Sequence, residues 1–140
     1  MFKKILLAYD GSDGAKLSLD KVTEIAKACA TQLHIVAVGR IPEYAETVSE
    51  VEEAREQAKN FYSKIIEDAV DHLKQRGLSA TVHIEFGKPG DVILRIAEEL
   101  GADLIALGTK PHSALRRRFL GATVDKVVDH AHCFVLVVRM

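Results

Sequence analysis

The beginning of the chain reads Lys3-Lys4-Ile5-Leu6-Leu7-Ala8-Tyr9-Asp10-Gly11-Ser12-Asp13. Residues 3 to 9 are nearly continuous in apolar residues, which is typical of a strand covered by helices on both faces of a parallel sheet. The polar residues that follow favour a turn, and Ser12 or Asp13 can cap the first N–H groups of a helix. The stretch therefore predicts a strand, a turn and a helix in immediate succession.

Four further apolar runs repeat this succession along the chain. They predict strands at residues 33–38, 80–86, 103–107 and 134–138. Between the runs, apolar residues recur at intervals of three and four, which indicates helices. The apolar positions of the four helices are Ala15, Leu19, Val22, Ala26 and Cys29; Val51, Ala54, Ala58, Phe61, Ile65, Ala69 and Leu73; Val92, Ile93, Ile96, Ala97 and Leu100; and Val124, Val127, Val128 and Ala131.

Strict alternation of strands and helices predicts an α/β fold. It implies a five-stranded parallel sheet with right-handed crossovers and helices on both faces. A length of 140 residues fits one domain, residues 1–140. Residues 80–86 alternate between apolar and polar side chains, which places this strand near an edge of the sheet. The third helix is expected to begin after Pro89-Gly90-Asp91.

Composition limits the classes of partner and compartment. Charged residues make up 28% of the chain and the formal net charge is -1, so no global attraction to nucleic acid or to anionic membranes is expected. Asp10 interrupts the first apolar run before it reaches the roughly 7 to 15 residues of a signal-peptide core. Cys29 and Cys133 lack the spacing of a metal or redox motif. We expect a cytoplasmic protein with reduced thiols.

The connection between the fourth strand and the last helix carries the strongest functional signal. Residues 108–123 have glycines near both ends, and they include Lys110 and the run Arg116 to Arg118. The helix start at Gly121 presents unpaired N–H groups and the positive end of a helix dipole, which favours an anion such as phosphate. A glycine-hinged surface loop with solvated arginines is the alternative. No catalytic motif and no metal-ligand cluster is predicted.

Several segments in a fixed order make the chain similar to the universal stress protein family. They are residues 5–12 (ILLAYDGS), 87–89 (GKP), 103–109 (DLIALGT) and 133–139 (CFVLVVR). The resemblance covers essentially the whole chain. It implies a Rossmann-like sheet of the adenine nucleotide alpha hydrolase type, with strand order 3-2-1-4-5. It also implies a regulatory role in the stress response through ATP or another adenine nucleotide, with Mg²⁺ if a triphosphate is bound.

Members of that family that bind ATP carry a glycine pattern after the fourth strand. It reads Gly, two residues, Gly, nine residues, Gly, then Ser or Thr. The corresponding positions here are Gly108, Pro111, Gly121 and Ala122, and Thr123 supplies a hydroxyl one residue later. The nucleotide-binding residues that the resemblance implies are Ala8, Asp10, Val38, Leu107, Gly108, Thr109, Lys110, His112, Gly121, Ala122 and Thr123. For Asp10, a purely local role in the turn is the alternative.

Two of these positions depart from the family pattern. Pro111 has no N–H and a fixed φ, and Ala122 has no side-chain donor. Each lost hydrogen bond to a charged group is worth about 1.5 to 3 kcal/mol, and about 1.4 kcal/mol is a tenfold change in affinity. Lys110, His112 and the arginine run could offset this loss. A nucleotide-free interaction module therefore stays an alternative, and a nucleotide-using enzyme is a third hypothesis.

The last predicted strand, Phe134 to Val138, would leave an unpaired sheet edge in a monomer. Exposed edges invite pairing, and a two-fold axis satisfies both copies at once. In the family that the chain resembles, this strand pairs antiparallel with the same strand of a second subunit. We therefore expect a homodimer that also contacts other proteins, which the sequence does not identify.

Overall fold

The computed structural model describes residues 2–40, 42–109 and 120–140. Five strands and four helices alternate in these ranges. In chain order they are β1 (Lys4–Ala8), α1 (Asp13–Cys29), β2 (Gln32–Gly39), α2 (Val48–Lys74), β3 (Ala80–Phe86), α3 (Pro89–Leu100), β4 (Leu104–Gly108), α4 (Ala122–His130) and β5 (Phe134–Val138). Every predicted strand is present, and its ends agree to within one residue.

All five strands form one parallel sheet with the order β3-β2-β1-β4-β5. This confirms the predicted α/β fold and the predicted strand order. β3 lies at one edge of the sheet, as its alternating pattern indicated, and β5 lies at the other. No helix of the described ranges is long and apolar enough to cross a membrane.

The core consists of two layers, one on each face of the sheet. Alternate side chains of β1 pack into the two layers, because successive side chains of a strand point to opposite faces of the sheet. Ile5 and Leu7 pack with α1 and α2, whereas Leu6 packs with α3 and α4. All three side chains are completely or almost completely buried. β1 is therefore the centre of the fold, and its carboxyl end is held firmly in place.

The helix ends explain where the chain turns. The Ser12 side chain accepts a hydrogen bond from the Ala15 amide, so Ser12 rather than Asp13 caps α1. The expected start of α3 after Asp91 is wrong, because α3 begins at Pro89 itself. Proline is well suited to the first position of a helix, where its missing N–H would have no helical partner.

The apolar stripe predicted for α2 belongs to the core only in its second half. Ile66, Ala69 and Leu73 are buried, but Phe61 is 60% exposed. α2 has 27 residues and is therefore about 40 Å long at a rise of about 1.5 Å per residue, which exceeds the length of the strands beneath it. Its first half consequently extends beyond the carboxyl ends of the strands. Val128, one of the apolar positions that indicated the last helix, lies outside the core, since this side chain is 48% exposed.

A histidine pair lies between β2 and β3. The Nδ1 atom of His34 is 2.9 Å from the Nε2 atom of His83, and the two rings are stacked. His34 is only 6% exposed. Burial lowers the pKa of His34, and the neighbouring His83 and Lys4 lower it further.

This pair predicts a loss of stability in mild acid. Because the pKa of His34 in the folded protein lies below its unfolded value of about 6.5, the unfolded chain binds more protons below that pH. The free energy of unfolding should therefore fall as pH drops below about 6.5, by at most about 1.4 kcal/mol per pH unit for one group. Urea unfolding between pH 7.5 and 5.5 measures this slope. His34→Gln should flatten it, and an unchanged slope in that variant would refute the assignment.

Candidate functional site

The carboxyl ends of β1, β2 and β4 open into a cleft of about 840 Å³. The chain places β2 and β3 on one side of β1, and then crosses over to place β4 and β5 on the other side. The strand order therefore reverses between β1 and β4. Ligands of open α/β sheets bind at such reversal points. The volume lies within the range of about 300 to 1,000 Å³ that is usual for small-molecule sites.

One part of the cleft, which we call the α4-side lobe, is almost entirely apolar. It lies on the face of the sheet that α3 and α4 cover. Its lining residues are Ala8, Val36, Val38, Pro89, Ile93, Leu107, Leu120 and Val124. Three of these, Ala8, Val38 and Leu107, are the residues that the resemblance implied for a base pocket. The lobe offers the kind of apolar surface that a flat heterocycle buries.

The amino terminus of α4 borders this lobe. Gly121 precedes the helix with a φ of 114°, a conformation that side-chain-bearing residues rarely adopt, and no side chain caps the helix. The first helical hydrogen bond joins the Asp125 amide to the Gly121 carbonyl. The amides of Ala122 and Thr123 therefore have no helical partner. Both residues line the cleft, which places an anion-binding helix end beside the apolar lobe.

Asp10 lies two residues after the end of β1 and lines the same cleft. Its Oδ1 atom accepts a hydrogen bond from the Ser12 amide at 3.0 Å. The local turn role that the sequence allowed is thus observed, and it is compatible with a ligand contact because the side chain is exposed. Among the described lining residues, Asp10 and Arg40 are the ones that carry a charge at neutral pH.

Thr109 is directed away from the cleft. It is 6% exposed, and its hydroxyl accepts a hydrogen bond from the Met140 amide at 3.3 Å. Its own amide donates to the Val138 carbonyl at 3.0 Å. Lys110, Pro111 and His112 fall outside the described residues. The predicted nucleotide contacts of Lys110 and His112 stay predictions, as does that of Thr109.

Gly108, the first glycine of the family pattern, has a packing role. A Cβ atom on Gly108 would overlap the Gly14 carbonyl, and a Cβ atom on Gly14 would overlap the Thr109 carbonyl. The first turn of α1 thus rests directly on the end of β4. This contact fixes the start of α1, including Ser12, relative to the carboxyl end of β4.

The second part of the cleft, the α2-side lobe, was not predicted from the sequence. It lies on the face of the sheet that α1 and α2 cover. Its lining residues are Tyr9, Ser12, Ala15, Ala54, Gln57, Ala58, Phe61 and Tyr62. The signal was present in the spacing of Ala54, Ala58 and Tyr62, which recur every four residues on one face of α2. That periodicity is the same for a core stripe and for a cleft wall.

Tyr9, which lines the α2-side lobe, lies close enough to three carboxylates for them to affect its pKa. Burial raises the pKa of Tyr9, and the carboxylates of Asp68, Asp10 and Asp20 raise it further, in that order. The Tyr9 hydroxyl therefore stays protonated at neutral pH and can donate a hydrogen bond. No group of three or more His, Cys, Asp or Glu side chains that could hold a metal ion occurs within residues 2–40, 42–109 and 120–140.

Two solved structures contain a nucleotide and share this fold. One is a universal stress protein in complex with cAMP, which is 24% identical with a TM-score of 0.74, and 98% of this chain and 96% of that chain are covered. The other is a universal stress protein family protein from Arabidopsis thaliana with AMP bound. It is 19% identical with a TM-score of 0.72, and the match covers 98% of this chain and 91% of that one.

Other relatives match the chain over its whole length. The universal stress protein YxiE of Bacillus subtilis is 34% identical, with 99% of this chain and 100% of that protein covered. The solved structure of the hypothetical protein MJ0577 has a TM-score of 0.84 and 25% identity, with coverage of 100% and 97%. The universal stress protein family itself matches residues 1–139. With the sheet order and the full-length match in agreement, this chain belongs to the universal stress protein family.

Proposed function

We propose that this protein binds an adenine nucleotide, AMP, ADP or ATP, in the cleft above β1 and β4. It acts in the cytoplasm as a homodimeric regulator in the stress response. The bound nucleotide reports the energy or stress state of the cell and alters contacts with other proteins. In this proposal the nucleotide is a regulatory ligand, and it is not turned over.

The observation that carries the proposal is an apolar lobe that adjoins an uncapped helix amino terminus. An adenine nucleotide has the matching division into an apolar heterocycle and an anionic tail. The base would lie between Ala8, Val38 and Leu107, and the ribose near Asp10. The phosphate would accept hydrogen bonds from the amides of Ala122 and Thr123.

The departure at Ala122 weakens this site but leaves its main donors in place. Ala122 keeps its backbone N–H, and the neighbouring Thr123 lines the cleft with a hydroxyl. The relatives solved with cAMP and with AMP support a site that needs only one phosphate. If a triphosphate binds, Asp10 is the one carboxylate among the described lining residues that could help hold Mg²⁺.

A second subunit would pair with the free edge of β5. The Val138 carbonyl accepts from the Thr109 amide and thus faces β4. Because backbone polar groups alternate in direction along a strand, those of Val135 and Val137 face outward. Phe134 is 71% exposed at the start of the same strand. An antiparallel pairing of two β5 strands would satisfy the outward groups and cover this apolar side chain.

Two substitutions at the first position of α4 test the nucleotide site. Ala122→Pro removes one amide donor, and proline is tolerated at this helix position, as Pro89 at the start of α3 illustrates. We expect AMP to bind at least tenfold more weakly, because a hydrogen bond to a charged group is worth about 1.5 to 3 kcal/mol. Ala122→Ser restores the hydroxyl of the family pattern and should tighten binding by a similar factor.

Titration calorimetry with AMP, ADP and ATP up to millimolar concentration measures these affinities, and GMP serves as the control for base selectivity. The melting temperature without ligand should be nearly the same in both variants. Absence of heat and of any melting shift with all three adenine nucleotides would overturn the proposal. It would favour a nucleotide-free dimeric interaction module, whereas turnover of ATP that Asp10→Ala abolishes would indicate an enzyme.

A further inference from the structure

The cleft continues over the carboxyl end of β1 onto the opposite face of the sheet. Ala8 packs with the α3/α4 layer and Tyr9 with the α1/α2 layer, yet both line the same cleft. The two lobes therefore meet above the end of β1. Adenosine and one phosphate account for the α4-side lobe and the start of α4, and they leave the α2-side lobe without a ligand group.

The shape of the α2-side lobe suits a flat group. Its wall on α2 presents the small side chains of Ala54 and Ala58 one helical turn apart, and Ala15 of α1 also lines the lobe. α2 packs closely on the end of β2, since a Cβ atom on Gly39 would lie 3.0 Å from the Ala58 Cβ atom. The small alanine side chains on this wall leave an open space, and larger side chains surround that space.

Aromatic rings border that space. Phe61 and Tyr62 both line the cleft, and their ring centroids are 5.1 Å apart in a T-shaped arrangement. A T-shaped pair covers the face of only one of its two rings, and Phe61 is 60% exposed. Exposed aromatic rings in a binding cleft act as stacking platforms for nucleic acid bases and similar heterocycles.

The described lining residues of the α2-side lobe carry no charged side chain. The two charged residues in the described part of the cleft, Asp10 and Arg40, have opposite charges, so no excess of cations marks this lobe as a second phosphate site. Gln57 lines the lobe with an amide that can donate and accept hydrogen bonds. The lobe thus fits a planar ring that carries polar substituents.

We propose that the α2-side lobe is a second ring-binding subsite, and that the preferred ligands are dinucleotides with a second planar ring joined to adenosine through a diphosphate. The juxtaposition of Phe61 and Tyr62 with the alanine-lined wall of α2 carries this inference. It rests on the proposed function, because adenosine must first occupy the α4-side lobe. The cleft volume of about 840 Å³ is near the upper end of the usual range of about 300 to 1,000 Å³, which leaves space for such a ligand.

Calorimetry with three ligands that share one adenosine diphosphate unit tests the subsite. ADP-ribose has the diphosphate and the second ribose but no second aromatic ring. NAD⁺ adds a pyridinium ring, and diadenosine diphosphate adds a second adenine. We expect Kd values for NAD⁺ or diadenosine diphosphate about tenfold below that of ADP-ribose, as one stacked ring provides. Whichever of these two ligands has the lower Kd relative to ADP-ribose identifies the ring that the subsite prefers.

Phe61→Ala should remove this advantage and leave the Kd of AMP and ADP-ribose unchanged. Val48→Ala, at an exposed position on α2 that does not line the cleft, is the matched control and should change nothing. Equal affinities of all three ligands, or an equal loss of AMP affinity in Phe61→Ala, would overturn the subsite while the proposed function stands. Failure of AMP itself to bind would overturn the proposed function.

Discussion

Replacing Gly108 with alanine is expected to destabilise the protein by about 3 kcal/mol, the upper end of the usual cost of overpacking. The added Cβ atom would overlap the Gly14 carbonyl and approach the Ala15 amide nitrogen to 2.9 Å. These neighbours are backbone atoms of α1 and cannot rotate away. The melting temperature should fall by roughly 10 °C, which differential scanning calorimetry measures. Gly14→Ala should have a similar effect, because it meets the Thr109 carbonyl from the other side.

Gly77→Ala is the matched control for this prediction. Gly77 has a φ of 75°, but a Cβ atom there would meet nothing within 4 Å. The substitution therefore incurs only the backbone cost of the left-handed conformation, about 1 kcal/mol. An equal loss of stability at Gly77 and Gly108 would show that the contact between α1 and β4 is less close than described. Gly108→Ala should also weaken nucleotide binding, since Ser12 and Gly108 both line the cleft.

Val137→Pro is expected to convert the proposed homodimer into a monomer. The backbone N–H of Val137 faces the free edge of β5, because the Val138 carbonyl faces β4. Proline removes that donor and blocks an approaching strand, but it leaves the hydrogen bonds between β4 and β5 intact. Sedimentation at micromolar concentration should give a dimer for the unmodified protein and a monomer for the variant.

Leu136→Pro is the matched control on the same strand, because it removes an N–H that faces β4 and not the free edge. By the same alternation the Leu136 amide faces β4, so the variant loses a hydrogen bond within the sheet. We expect its melting temperature to fall well below that of Val137→Pro. A monomer for the unmodified protein, or a dimer that survives Val137→Pro, would contradict pairing through β5.

The sequence predicted the strands closely because four of them are nearly continuous apolar runs and the third alternates between apolar and polar residues, each between turn or helix signals. The strand order and the loops after β1 and β4 predicted a site at the carboxyl ends of these strands, because ligands of open α/β sheets bind there. The individual residues Ala8, Asp10, Val38 and Leu107 came from the resemblance to the universal stress protein family. The structure finds these four residues, Gly108 and residues 121–123 lining one cleft.

The α2-side lobe could not be predicted in the same way. A helix face that lines a cleft has the same spacing of apolar residues as a face that packs on a sheet. Only the length of α2 relative to the strands shows that Ala54, Ala58 and Phe61 lie beyond the core. The direction of Thr109 was equally hidden, because its burial depends on hydrogen bonds to Val138 and Met140 at the far end of the chain.

The central claim is that an adenine nucleotide binds in the cleft where β1 and β4 end, with its phosphate on the amides of α4. Amide chemical shifts of ¹⁵N-labelled protein, recorded during a titration with AMP, test this claim residue by residue. We predict saturable shifts concentrated at Ala8, Leu107 and Gly108 and at residues 121–123, with the largest change at the Ala122 or Thr123 amide. A spectrum that stays unchanged at millimolar AMP, or saturable shifts confined to residues outside the cleft, would contradict the account.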